Sequence, residues 1–518
     1  MGFIMKKILH LFAAIAMSIA VYADTIPEGF ISGTWTLSGS PYLITGMTSV
    51  PDGSTLTIEA GVTVEWQGSY TMYIQGRILA LGTETDSILF TAADPEAGFK
   101  SIRFIETGAA NDTSRFEHCI FEHGNVYGDY PDNSGGALAI VEFSKVIIKH
   151  CLFRNNQAVE PHPVTENSCG GAIALLVGSP EIRNCVFKNN KAYSGGAIMC
   201  YEGANPLIEN STFENNRAIE VDYAQGYGGA VGAFIDCDPT IRNNTFTENY
   251  AENGGGALAF VQDCLPVIDH NLFYKDTASW GGAIELQDNC VGQIINNTIA
   301  DNYADVNGGG IDCWTGGIAN VRNTILWGNT APEGSQVFLA EVIDMVNCYY
   351  SDIMGGKSGV EGEGSIGDWV ECIDEDPLFE GSDTCYYHLT EGSPCIDASD
   401  PECIDPIDNT VCDMGAFWCN YLGVGNEEFK IQNSKFKIDL FPNPARDISH
   451  FAFRISQCQC VTLKIYDIYG KEVGTLADGT YQKGEYNLQV NVSNLPAGIY
   501  LVRLHAGNKM AVARLCKQ

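Results

Sequence analysis

Two carboxylates and four aromatic side chains are the residues of this sequence best suited to chemistry on a sugar. Glu285 sits in Gly-Gly-Ala-Ile-Glu-Leu (281–286) and Asp312 in Gly-Gly-Gly-Ile-Asp-Cys (308–313), each four residues after the first glycine of its segment. On neighbouring strands such carboxylates stand ~5 Å apart, the separation a retaining glycosidase uses, and their repulsion raises one of the two pKa values. The same pair is suited to hold Ca²⁺ for a polyuronate. Trp280 precedes the first segment, and Tyr201, Phe234 and Trp314 each fall two positions beyond the carboxylate register of their own segment. These aromatics offer flat faces to sugar rings. Asp222 and Tyr223 belong to an insertion that would stand as a wall beside them. The simpler reading, two solvated acids on an acidic surface, carries more weight than catalysis. Small residues at Ala139, Gly232 and Ala259 would make a shallow floor on the same outward face.

Other reactive residues have structural explanations. Arg183, Arg242 and Arg322 share a register with Lys149, Glu209 and Asp269, as solvated turn positions would. His150 and His270 share one with Asn184 and Asn210. No Ser-His-Asp, phosphate-loop or redox motif is apparent.

The elements that must position these residues are repeats. Aligned on Phe153, Phe187, Phe213, Phe246, Phe273, Ile299 and Leu326, the chain shows Asn or Asp three residues later and Ala five later. Ile or Val stands five before, and a Gly-Gly opening about eighteen before. The segments alternate with period 2, so they are short strands, and no apolar stretch holds a helical period. Strands recurring about every 26 residues, divided by Gly, Pro and Asn turns, fit a coil stacked at ~4.8 Å on its neighbour. Seven clear coils follow, with degenerate coils flanking them.

The Gly-Gly-Ala-Ile and Phe-x-x-Asn pattern resembles right-handed parallel β-helix proteins of the pectate-lyase-like class and the repeats of polymorphic outer-membrane proteins. Pro51–Glu65 is similar to the opening coils of that family. Asp376-Pro-Leu-Phe379, Gly392–Ala398 and Asp413-Met-Gly-Ala-Phe417 are similar to its closing segment. The handedness is what this resemblance implies. Phe441-Pro-Asn-Pro444, Leu463–Val473, Gly484-Glu-Tyr486 and Leu495–Leu504 resemble the C-terminal sorting domain of type IX secretion. That likeness implies passage through the outer membrane with the secretion machinery as partner. Alternation and Gly turns over residues 438–518 predict a small antiparallel β-sandwich.

Composition agrees with an exported scaffold. The 518 residues carry a net charge of −35, divided as −40 over 24–437 and +3 over 438–518. Such acidity excludes nucleic-acid binding, which needs Lys and Arg to displace counterions. Lys6 and Lys7, an apolar run and Val21-Tyr-Ala23 read as a secretory signal over 1–23, with no membrane span in the mature chain. Cys119, Cys151 and Cys185 share one register and Cys237, Cys264 and Cys290 another, as small buried residues. Cys372, Cys385, Cys395, Cys403, Cys412 and Cys419 fall in the closing segment and read as a staple over the open end of the core, and the aspartates of that segment are a second candidate for Ca²⁺.

The expected organisation is a signal peptide (1–23), an all-β right-handed parallel β-helix (24–419), a linker (420–437) and the sorting domain (438–518). The expected function is adhesion or glycan binding at the cell surface or in the medium, against a polysaccharide or a surface glycan. The alternative is a polysaccharide lyase or glycoside hydrolase using Glu285 and Asp312. No cofactor is required, with Ca²⁺ the ion its acids would hold.

Overall fold

The computed structural model describes residues 23–517, except 129–131, 160–167, 221–225, 382–386, 405–409, 418–437 and short stretches after 441 (442–444, 447, 456–458, 467–471, 494, 497 and 507–508). The signal peptide and linker expectations therefore fall outside the described residues. The chain divides into two compact units between Asn426 and Glu427.

The first unit is the predicted solenoid. Three sheets contain thirteen parallel strands each, and a fourth contains seven. One coil runs through Ile284–Gln287 in the second sheet, Val291–Ile295 in the third, Thr298–Ala300 in the first and Tyr303–Asn307 in the fourth. Thirteen strands per sheet make a stack roughly 58 Å long at ~4.8 Å per step. The flanking coils thus continue the three long sheets beyond the seven that the repeat makes plain, whereas the fourth sheet stops at seven strands.

The repeat registers are the strand registers. Phe153, Phe187, Phe213, Phe246, Phe273, Ile299 and Leu326 pair in sequence down the first sheet. Their rings stack at 4.7–4.9 Å with interplanar angles of 5–11° from Phe153 to Phe273. Ile148, Ile182, Ile208, Ile241, Ile268 and Ile294 line the third sheet, all fully buried. The two columns close one continuous apolar core, which each coil alone would leave open to water.

Side-chain amides satisfy the turns. Asn190 Nδ2 donates to Phe153 O at 3.0 Å and to Asn216 Oδ1 at 2.9 Å, and this pattern repeats along the stack. A second column, two residues before the aligned aromatics, changes chemistry along its length: Cys119, Cys151, Cys185, Ser211, Asn244, Asn271, Asn297, Thr324 and Ser351. Asn271 Nδ2 donates to Ile241 O at 2.8 Å, and the Cys151 thiol reaches Phe116 O at 3.5 Å in the equivalent place. The registered cysteines are therefore buried, as expected, and also serve as hydrogen-bond donors. His150 and His270 occupy left-handed turn positions (φ 53° for both) with Asn184 and Asn210, a structural placement.

Among the described residues the closing segment carries one disulfide, Cys403–Cys412, while Cys372 and Cys395 are free thiols. Cys385 and Cys419 lie outside the described residues. Three of its described aspartates have separate partners: Asp374 accepts from Gly355 N at 2.8 Å, Asp413 from Asp397 N at 2.9 Å, and Asp400 pairs with Arg322.

The second unit is antiparallel. Ile438–Phe441, Ile448–Ile455 and Gly484–Asn491 form one sheet. Glu472–Tyr481, Gln459–Tyr466, Gly498–Ala506 and Lys509–Lys517 form the other. Phe451, Phe453, Leu463, Val502, Leu504 and Leu515 share the core between them.

Candidate functional site

The second sheet is opened by the glycine pairs. Gly281 takes φ +59°, which suits a residue without a β-carbon, and a β-carbon on Gly282 would collide with the Gly309 carbonyl oxygen one coil away. This tight turn brings the fourth sheet and its connections back over the outer face of the strand that follows. The predicted shallow floor is consequently roofed. Ala139, Met199, Ala259, Glu285 and Asp312 are each at most 2% exposed.

Glu285 and Asp312 are direct neighbours in the parallel register. They do not face solvent, however, which corrects the expectation of an open groove and of solvated acids alike. The Glu285 carboxyl fills the space in which a β-carbon on Gly254 would stand. Both of its oxygens, and Asp312 Oδ1, are buried without a hydrogen-bond partner. Burial, then the Asp312 charge, pushes the Glu285 pKa up. Burial, then Asp344, pushes Asp312 up to about 8. Burial and the Glu285 charge raise the Tyr227 phenol as well. Burial thus disfavours the charged form of both carboxyls, and both are closed off from solvent. Among the described residues no group of three or more His, Cys, Asp or Glu converges as a metal site.

The aromatic residues keep their access. Tyr201 and Phe234 are adjacent in register and partly exposed, with Tyr227 edge-on to Phe234 at 6.1 Å. Further along the same edge Gln287 pairs with Trp314, which is 36% exposed. The Trp280 ring lies 6.4 Å from the Trp314 ring at 32°. Asp222 and Tyr223 lie outside the described residues. The edge therefore presents two aromatic groups separated by Val261 and Gln287.

Sequence reasoning missed a second concavity, on the third sheet, lined by Gln293, Ile295, Asn320, Arg322 and Tyr349. Its signal was present as amides six residues before the aligned aliphatics in three consecutive coils: Gln293, Asn320 and Asn347.

Residues 107–326 match the family model described as the right handed beta helix region, and residues 439–518 match the secretion system C-terminal sorting domain. The solenoid is a right-handed β-helix, and the tail is a type IX sorting domain. A search of curated proteins returns no match. The β-helix protein is exported across the outer membrane, to the cell surface or the medium. No helix among the described residues is long and apolar enough to cross a membrane. Deleting residues 439–518 is expected to hold the protein in the periplasm, as read by fractionation and surface protease accessibility. Undiminished surface display of the truncated chain would contradict the role of the tail.

Proposed function

We propose that this exported β-helix protein is a surface adhesin that binds glycans along the aromatic edge of its second sheet. The observation that carries the reading is the Trp280–Trp314 pair, partly exposed on a rigid strand stack beside the polar Gln287. Aromatic faces bury the apolar faces of sugar rings, while neighbouring amides take the hydroxyls. A rigid scaffold holds such a platform at little entropic cost. Tyr201 and Phe234 extend the platform along the stack. On the two strands of Gln287 and Trp314 the carboxylates Glu285 and Asp312 are roofed, so no exposed acid pair stands beside the aromatics there, which favours binding over hydrolysis.

The test is a glycan array with the secreted protein, combined with assays for new reducing ends and unsaturated products. Trp314→Ala is expected to weaken binding about tenfold or more, as loss of an interface tryptophan does. Asp312→Asn is expected to leave binding unchanged. Product formation abolished by Asp312→Asn would replace the adhesin with a lyase or hydrolase.

A further inference from the structure

The outer face of the third sheet carries a built concavity that the second-sheet reading does not use. Its floor is formed by Val291–Ile295, Ile318–Arg322 and Met345–Tyr349, strands paired in register so that Gln293, Asn320 and Asn347 stand in one row. Ile295, Arg322 and Tyr349 stand in the next outward row. Asn347 Nδ2 donates to Asn320 Oδ1 at 2.9 Å, and Asn347 Oδ1 accepts from Asp368 N at 3.0 Å. Asn347 is therefore fully engaged in fixing the row. The Gln293 side-chain amide and the Asn320 Nδ2 group make no hydrogen bond to another described residue, and both residues line the cavity.

The closing segment is anchored beside this floor. Asp400 N donates to Asn323 Oδ1 at 2.9 Å, Gly415 N donates to Asn323 O at 2.8 Å, and the Cys403–Cys412 disulfide ties the segment between them. Asp400 also pairs with Arg322, whose guanidinium lies 4.8 Å from the centre of the Tyr349 ring. Tyr349 is fixed in turn, its hydroxyl donating to Asp368 Oδ2 at 2.6 Å. The resulting cavity has a volume of about 290 Å³.

The chemistry selects among ligands. Both edges of each floor strand are already paired, so an extended peptide has no backbone row to join. The Arg322 charge is balanced by Asp400, with Asp368 close by, so an anion gains little attraction there. What remains on offer is amide groups that donate and accept, beside Ile295 and an immobilised tyrosine ring. We propose that this groove is a second saccharide site, specific for uncharged sugars, whose hydroxyls pair with Gln293 and Asn320. It stands on residues separate from the aromatic edge, so either site can fail without the other.

The experiment uses the full secreted chain carrying Trp314→Ala, which weakens the first site. Uncharged cello-, lamino-, manno-, xylo- and chitohexaose are titrated, with oligogalacturonate and oligoalginate as charged probes. At least one uncharged hexasaccharide is expected to bind, and adding Gln293→Leu and Asn320→Leu is expected to weaken it about tenfold. Asn320→Ala alone, checked for an unchanged melting curve, is expected to give a smaller loss in the same direction. The proposal is overturned if no uncharged hexasaccharide binds, if the added substitutions change nothing, or if only the charged probes respond. Any of these results leaves the second-sheet reading standing, since that reading is decided by Trp314→Ala in the otherwise native chain.

Discussion

Asp276→Asn is expected to stabilise the solenoid at alkaline pH and to flatten the dependence of its melting temperature on pH. Asp276 replaces an asparagine in the amide column that follows the stacked phenylalanines. In neighbouring copies the amide nitrogen donates to a phenylalanine carbonyl, as from Asn249 to Phe213 O at 3.0 Å and from Asn302 to Phe273 O at 3.2 Å. Asp276 Oδ1 plays its part, accepting from Asn249 Nδ2 at 2.9 Å. The other oxygen, Oδ2, stands in place of the donor and is buried without a partner. Only a protonated carboxyl supplies a donor there. Burial raises the pKa from 3.8 to about 8, opposed by the Asn249 hydrogen bonds and reinforced by Glu248.

The direction of the pH effect follows. An unfolded chain loses this proton near the ordinary carboxyl value, whereas the folded chain keeps it until about pH 8. Stability from this residue is complete below the lower value, declines as pH rises through the window, and is gone above it. The gap corresponds to on the order of 5 kcal/mol. Glu285 and Asp312 are raised in the same direction, so part of the dependence persists in the variant. Thermal melts at pH 5, 7 and 9 check this. A lower melting temperature for Asp276→Asn at pH 9, or an unaltered pH profile, would refute it.

The second large effect concerns the aromatic column. Phe213 is fully buried, and its ring stacks on Phe187 at 4.7 Å and on Phe246 at 4.8 Å. Phe213→Ala removes both contacts and leaves a cavity that a paired strand stack cannot close, at a cost of about 3–5 kcal/mol. Phe213→Leu should cost far less, because Ile299 and Leu326 occupy the same register further along. Coils contact only their neighbours, so the weakness should be local. Denaturant titration and limited proteolysis together read this out, with new cleavage expected near the altered coil. Equal costs for the two substitutions would contradict this and show that the ring stack, rather than filled volume, carries the contribution of Phe213.

The fold was legible because stacking forces like residues into one register. Phe, Asn, Ala and Ile each recur at a fixed offset, and each offset is a column of the structure. The site was less legible, for a physical reason. Period-2 alternation assigned Glu285 and Asp312 to the strand face away from the core, and that face is roofed by the returning chain at the glycine turns. Parity tells which side of a strand a residue takes, but says nothing of what covers that side. The third-sheet groove was hidden for a related reason. Its amides are visible in the sequence, whereas Asp400, which pairs with Arg322 in the groove lining, comes from far along the chain.

The thiols set a clock on export. Apart from Cys169, eleven described cysteines are free thiols, ten of them buried. The tail sends the chain through the periplasm, where thiols are oxidised. Column neighbours such as Cys119, Cys151 and Cys185 sit one coil apart, ~4.8 Å between strands, within the roughly 4.4–6.8 Å span a disulfide bridges. Once buried, Cys151 and Cys185 have their pKa values pushed up by desolvation, so the reactive thiolate is suppressed. Each coil that closes withdraws its sulfur from the oxidant, and a chain that winds faster than it oxidises arrives outside with its column of thiols intact.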